Sequence, residues 1–567
     1  MDKIEKRSKG SKVSAKNTGQ TLMIGAAILL LANLLVKIIG AGFKIPLTYV
    51  LDQNGAGETA MGYFGTAYTV YTILFVISTA GFPVAIYKMV AEARARGNEA
   101  EAGKIFRLAF WALLIVGAIG TAIMYFTAKP FAVFLKNPPA YICIQAIAPA
   151  IFFVAILAAF RGYFQGRQNM LPTAISEVIE SLGKLVFGLL LASLFIGMGA
   201  QYGAAGAVGG VAAGAAVAAL VIFIIYIFHK KKLPQLRQST SSAKTLMKRL
   251  LFLAIPVTLA AAAPHLINML DTVTVVGRLQ VPSGMAAEMI AKIRTLFGMG
   301  SREILTNVDS EMATTLYGRY SGYATPMFTL PLTLVAAIAT SMVPSISASL
   351  ALGKKGSAKS VVESVLRITM LFGLPCAVGL AVLASPILTT LYGNDNATSL
   401  LQLLGPAVLL GSFLAITNGI LQAYGKAHLT IIGILLGGAA KLILNYTLIP
   451  VIGIDAAPIA TTVSYMFTVG LNLYFTYKSA KPEMGLVDFL LKPIAAVVGM
   501  GIAAWHGYAR ILPRLGVKVS CIVAITFAGA VYGILLLVVR ALRREDIEML
   551  PKGEKLAKIL GKFRLIK

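Results

Sequence analysis

Across 567 residues this chain is 57% hydrophobic and only 13% charged, with a mean hydropathy of +0.79. An ordinary soluble chain carries about 25% charged residues, so that class is excluded. The net charge of +28 does not point to nucleic acid, because Lys and Arg gather in short loops between apolar runs, which is the topology signal of a polytopic membrane protein.

A basic tail, 1–19, precedes a first apolar run too long for a signal-peptide core, so no cleavage is expected. Runs of membrane-crossing length follow at roughly 20–50, 59–81, 105–128, 140–160, 172–197 and 204–228, and together they make an N-lobe over 20–228. A basic linker, 229–249, leads to a C-lobe over 250–477 with runs at 250–275, 322–350, 361–386, 399–424, 430–451 and 456–477. Between the first two of these lies an insert, 276–321, read as an external loop. In it Met285–Phe297 has the spacing of an amphipathic surface helix around Glu288, Lys292 and Arg294. Runs 488–506 and 519–540 fill 478–540, and 541–567 is a basic amphipathic tail suited to the anionic lipids of the inner leaflet. The expected fold class is an all-α polytopic membrane protein of about fourteen transmembrane helices, two six-helix lobes plus two C-terminal helices.

Loop charge sets the orientation. Lys88, Arg94 and Arg96, then Arg161 and Arg167, then Lys230, Lys231, Lys232 and Arg237, then Lys354, Lys355 and Lys359 fall in alternate loops. Loops 51–58, 198–203, 391–398 and 452–455 have neither Lys nor Arg, which places both termini in the cytoplasm of a multi-pass protein of the cytoplasmic membrane. Lys129, Lys136, Arg510, Arg514 and Lys518 dissent mildly.

The chain also repeats itself. A shift of 257 positions lays Pro149 on Pro406, Gly162 on Gly419, Gln165 on Gln422 and Lys184 on Lys441. Six helices per lobe make the repeats parallel, with substrate expected between them near the midplane. A cation at the centre of a membrane helix costs about 2.5–3.5 kcal/mol, so matched lysines imply a polar interior. Lys37 and Lys44 share a face of the first run, and Glu177, Glu180 and Lys184 lie in the fifth, where Glu180 and Lys184 have i,i+4 ion-pair spacing. Asp271 ends the seventh run, and Lys441 and Asn445 lie one turn apart in the eleventh. Lysines outnumber the carboxylates, so an anionic cargo is expected, held by ammonium groups acting as point charges on phosphate. Asp271 and Glu180 are candidates for charge balance or ion coupling.

No enzyme is expected. There is no GxxxxGK[ST], no HExxH and no CxxC among Cys143, Cys376 and Cys521, so neither metal nor cofactor is called for. Gly206, Gly210 and Gly214 read as a helix-packing face.

Leu34 to Pro46, Thr79 to Glu92, and Gln165 with Pro172 to Glu180 resemble the stage V sporulation protein B-like polysaccharide biosynthesis proteins. These belong to the multidrug/oligosaccharidyl-lipid/polysaccharide exporter superfamily, alongside the lipid II flippases. The resemblance implies a flippase for an undecaprenyl-pyrophosphate-linked sugar, working by alternating access between two lobes; a monomer is expected. It implies substrate contacts at Lys37, Lys44 and Arg319, while Tyr71 and Thr72 stand where the lipid II flippases have arginines. It also implies a monovalent-cation site of Asp271, Asn445 and Thr461. A cation-coupled drug or metabolite antiporter and a non-transporting scaffold for cell-wall synthesis remain the alternatives.

Overall fold

The computed structural model describes residues 28–29, 31–40, 42–231, 242–281, 307–485 and 487–542, and every regular element among them is helical. The tails 1–19 and 543–567, residues 232–241 of the basic linker and the stretch Met285–Phe297 lie outside the described residues. Eleven described stretches are long and apolar enough to cross a membrane. One of them, His428–Ala480, holds two of the expected crossings, and the helices over 243–279 and 325–351 are not among the eleven. The expected count of fourteen is therefore not reached by this measure.

The chain divides into two compact units, 1–273 and 274–567. The first contains α1 (Leu31–Leu51), α2 (Gly57–Thr79), α3 (Gly81–Ala95), α4 (Glu99–Phe126), α5 (Ala128–Phe134), α6 (Tyr141–Ile147), α7 (Pro149–Gly166), α8 (Leu171–Phe195) and α9 (Ala200–Lys231). Helix α10 (Ala243–Leu279) contains the division. Asp271 does not end its helix as the sequence reading expects; the helix runs on to Leu279. The second unit continues with α11 (Ser310–Gly318), α12 (Thr325–Ala351), α13 (Lys355–Val382), α14 (Ala384–Tyr392), α15 (Thr398–Ala423), α16 (His428–Ile452), α17 (Ala456–Ala480) and α18 (Lys492–Val538). A wide π turn, Arg319–Ala324, joins α11 to α12, so the end of the expected insert is helical. Helix α18 breaks at Gly516, whose φ of 70° lies in the left-handed region that glycine tolerates.

In the first unit α7 packs against α2, α3, α4 and α9. Its Pro149 stands in the first turn, where a missing N–H loses no helical bond. The core around it is aromatic: the rings of Phe106 and Tyr163 lie 4.6 Å apart, and those of Phe106 and Phe160 5.3 Å. In the second unit α15 takes the same place, packed against α12, α13 and α17.

The repeat seen in sequence recurs in the backbone of each unit. Helices α8 and α16 each span 25 residues, and their bounds differ by the same 257 positions as the lysines. Gly162 and Gly419 occupy corresponding contacts: a Cβ on Gly162 would press on Pro83 and Ile86 of α3, and one on Gly419 would meet Ala339 and Val343 of α12. Left-handed residues also correspond. Lys136 (φ 58°) matches Gly393 (φ 78°) and Gln168 (φ 60°) matches Gly425 (φ 71°) at the same 257 positions, while Gly97 (φ 74°) and Gly353 (φ 71°) correspond with a shift of one residue.

Candidate functional site

Close helix packing creates the setting. Gly183 of α8 meets the Cα of Gly214 of α9, where a Cβ would stand 2.6 Å from it, and Gly210 meets the backbone of Gly188. Without side chains at these points the two backbones approach closely, as the small-residue spacing of Gly206, Gly210 and Gly214 predicts. Gly188 also leaves room for the Phe43 ring of α1, whose edge would lie 2.9 Å from an added Cβ. Phe43 is thereby buried and set against α8.

The first unit holds a cavity of about 400 Å³ lined by α1, α2, α7, α8 and Val211 of α9. Lys37, Arg161, Lys184, Glu177 and Glu180 all line it. Lys184 does not pair with Glu180, as i,i+4 spacing suggested. Its Nζ donates to the Tyr68 hydroxyl at 3.3 Å and stands 4.6 Å from the Tyr68 ring centre and 5.3 Å from that of Phe43. A ring face attracts an ammonium through its quadrupole and leaves it less hydrated than open water would. Tyr68 is itself stacked on Phe64, centroids 5.6 Å apart and planes 9° from parallel, so the platform under Lys184 is fixed.

Glu180 pairs instead with Arg161, a residue the loop-charge pattern had placed between helices. Arg161 lies within α7, and its Nη2 donates to Glu180 Oε2 at 2.7 Å while Nε donates to Ser176 Oγ at 2.9 Å. Both side chains of the pair are largely buried, 13% and 19% exposed. The Ser176 hydroxyl in turn donates to the Thr173 carbonyl at 2.8 Å. Glu177, one turn before Glu180, has a buried Oε2 that accepts no hydrogen bond among the described residues. Around this cavity three cationic side chains face two carboxylates, and one carboxylate is committed to an arginine.

The other expected residues are placed as follows. Lys44 is half-buried on α1 and does not line the cavity. Asp271 is buried on α10, next to Thr272, whose hydroxyl meets the Thr69 hydroxyl of α2 at 3.4 Å. In the second unit Lys441 and Asn445 are both buried on α16, and Asn445 Nδ2 donates to Thr274 Oγ1 at 3.3 Å. Thr461 donates to the Ala457 carbonyl at 2.9 Å, and its hydroxyl lies 3.0 Å from that of Tyr320. Tyr320 follows Arg319 in the π turn, a distortion common at functional sites. Sequence reasoning missed two further cations. Arg278 lies over the Tyr446 ring at 4.0 Å and donates to the Tyr446 carbonyl, and Arg367 is buried on α13 with Nη2 donating to Ser364 Oγ at 3.1 Å. Each sits near the polar end of an apolar run, where an arginine looks like a loop residue.

Among the described residues no three His, Cys, Asp or Glu side chains converge as a metal site would require. What the first-unit cavity offers is electrostatic: fixed ammonium and guanidinium groups in a place where low dielectric strengthens their pull on an anion.

Comparison with known proteins adds a sequence and a structural likeness. The polysaccharide biosynthesis protein family profile matches residues 22–350, and the lipid II flippase MurJ profile matches residues 282–526. Stage V sporulation protein B of Bacillus subtilis is 25% identical over 540 residues, covering 94% of this chain and 98% of the relative. Lipid II flippase MurJ of the same organism is 25% identical over 522 residues, covering 85% of this chain and 88% of the relative. The solved structure of lipid II flippase MurJ in an inward closed conformation superposes with a TM-score of 0.65 at 14% identity, over 90% of this chain and 98% of that one.

Proposed function

Because the chain belongs to the polysaccharide biosynthesis protein family, we propose that it is a flippase. In this reading it carries an undecaprenyl-pyrophosphate-linked oligosaccharide across a bacterial cytoplasmic membrane by alternating access, both termini lying on the cytoplasmic side. The likeness to stage V sporulation protein B and to lipid II flippase MurJ over most of the chain supports a transporter of this kind.

The observation that carries the reading is the first-unit cavity, where Lys37, Arg161 and Lys184 outnumber Glu177 and Glu180. An excess of cations lining one cavity within a membrane protein calls for a compensating anion or water, and a pyrophosphate supplies the charge. Lysine suits it as a compact point charge with three rotatable donors. Lys184 is already partly stripped of water by two rings, so an entering phosphate oxygen displaces little solvent from it. The polyprenyl tail stays in the bilayer, where its hydrocarbon has no reason to leave. Lys44, Lys441 and Arg319 are proposed as further anion contacts along the path, and Asp271, Glu180, Asn445 and Thr461 as charge-balancing or cation-coupling groups.

A leaflet-translocation assay tests the proposal. The purified chain in phospholipid vesicles, given a fluorescent undecaprenyl-pyrophosphoryl disaccharide, is expected to expose the lipid to an external quencher faster than empty vesicles do. The double variant Lys37→Gln/Lys184→Gln should slow that exposure by roughly a hundred-fold, two lost charged contacts at about 1.5 kcal/mol each. Equal rates in wild type and double variant would sink the reading.

A further inference from the structure

The cavity has an anion-holding side, and its remaining groups describe what the anion is attached to. Glu177, Ser181 and Lys184 fall on one face of α8, and Glu177 lies two turns before Lys184, about 10 Å along the axis. Tyr71 and Phe75 follow Tyr68 on α2 at the same helical spacing and line the same cavity, their rings 5.6 Å apart. The space therefore runs from a cation on an aromatic platform toward two more aromatic faces and a carboxylate. Its volume of about 400 Å³ is in the range of small-ligand sites, about 300–1,000 Å³.

The two carboxylates differ in what they have left to give. Glu180 is held by Arg161 at 2.7 Å. Glu177 lines the cavity, yet its Oε2 is buried and accepts no hydrogen bond among the described residues. An acceptor left unmade in a buried place is unfavourable, and the usual resolution is a donor that arrives with a ligand. The terminal torsion of Glu is broad and roughly two-fold, so either oxygen can turn to meet such a donor.

We propose that Glu177 is a specificity-determining residue that accepts a hydrogen bond from a hydroxyl or amide N–H on the sugar nearest the pyrophosphate, with the sugar ring against Tyr71 and Phe75. The inference rests on the glycosyl-lipid reading above and narrows it: the cargo is recognised by its first sugar as well as by its phosphates. A carboxylate is an unfavourable neighbour for a bare anion, so its presence in an anion cavity is explained when the ligand brings a donor beside its charge. A ligand consisting of pyrophosphate and hydrocarbon alone leaves Glu177 unsatisfied and is discriminated against.

The test compares two probes on the full-length protein: a polyprenyl diphosphate, and the same molecule bearing one N-acetylglucosamine. The quantity read is the ratio of their dissociation constants. Wild type is expected to favour the glycosylated probe. In Glu177→Leu that preference should fall by roughly ten-fold, the loss of one charge-assisted hydrogen bond. Glu177→Gln, which keeps a carbonyl oxygen, should retain part of it. Lys184→Gln should weaken both probes together and leave the ratio in place. An unchanged ratio in Glu177→Leu overturns the inference and leaves the flippase reading standing. Failure of wild type to bind either probe overturns both, as does indifference of both affinities to Lys184→Gln.

Discussion

Arg161 of α7 donates to Glu180 of α8 at 2.7 Å, and this pairing decides which charges of the first-unit cavity remain for a ligand. It neutralises the carboxylate that would otherwise compete for Lys184, so Lys184 rests on the Tyr68 and Phe43 rings with its charge undiminished by a carboxylate neighbour on its own helix. Removing one partner of a largely buried pair leaves the other uncompensated. Arg161→Leu is therefore expected to destabilise the protein by about 3 kcal/mol, while Arg161→Leu/Glu180→Leu recovers most of the loss. Thermal unfolding of the detergent-solubilised protein measures both, and strictly additive losses would contradict the pairing argument.

The aromatic platform under Lys184 predicts a graded series. Tyr68→Phe keeps the ring and removes only a long 3.3 Å hydrogen bond, so the affinity for inorganic pyrophosphate should change little. Tyr68→Leu removes the ring 4.6 Å from Nζ and is expected to lower that affinity by roughly five- to thirty-fold, the equivalent of about 1–2 kcal/mol. Calorimetric titration distinguishes them. Equal effects of the two substitutions would assign the role to the hydroxyl.

The α8–α9 contact predicts glycine effects of opposite sign. Gly183→Ala places a Cβ 2.6 Å from the Cα of Gly214, and backbone cannot swing aside, so a loss of about 1–3 kcal/mol is expected. Gly533 of α18 has open space around it, and Gly533→Ala should stabilise by about 0.5–1 kcal/mol through helix propensity. Melting temperatures moving in the same direction for both variants would refute the packing assignment.

Helices and repeat were legible in the chain because both are written in local pattern. An apolar run announces its own length, and Lys184 and Lys441 share a register that no fold is needed to see. The partners were not legible. Glu180 and Lys184 satisfy the i,i+4 rule, yet a guanidinium arriving from another helix bonds Glu180 and, at the same time, Ser176 one turn before it, and no local spacing on α8 shows that partner. Arg161 was hidden because it stands at the end of an apolar run, the place where loop arginines also stand. Asp271 looked like a helix end because a charge broke the apolar run, but hydrogen bonding carries the helix through to Leu279. Polarity marks where a chain leaves hydrocarbon, and a chain can leave hydrocarbon by entering a cavity.

A surface pair gives a pH prediction whose sign is fixed. Lys359 donates to Glu483 at 2.6 Å and holds that carboxyl below its usual range. An unfolded Glu titrates near pH ~4.3. The pair's contribution is thus present above that value and lost as pH falls through the lower folded value. Glu483 is exposed, so salt screens the effect. Glu483→Gln should reduce the acid-side slope of melting temperature slightly at low ionic strength and leave it unchanged at high ionic strength; a larger effect in high salt would exclude a charge origin.

The repeat itself makes the last prediction. Gln168 follows α7 with φ 60°, and its counterpart 257 positions on is Gly425 with φ 71°; Lys136, with φ 58°, likewise corresponds to Gly393 with φ 78°. Both units thus need a left-handed residue at these turns, and only the second unit has glycine there. A residue with a Cβ in that conformation costs about 1–2 kcal/mol, and glycine returns part of the gain through the greater freedom of its unfolded chain. Gln168 and Lys136 are exposed, where solvent screens much of what a polar side chain contributes, so the backbone conformation is expected to dominate the exchange to glycine. Gln168→Gly and Lys136→Gly should therefore each stabilise the protein by about 0.5–1 kcal/mol, and Gly425→Gln and Gly393→Lys should each cost about 1 kcal/mol. Four melting temperatures in one detergent decide the matter. Stabilisation by the first pair together with loss in the second shows one backbone turn used twice under different side chains. Loss in all four variants would mean that Gln168 and Lys136 contribute contacts their glycine counterparts lack, and the correspondence of the turns would fail.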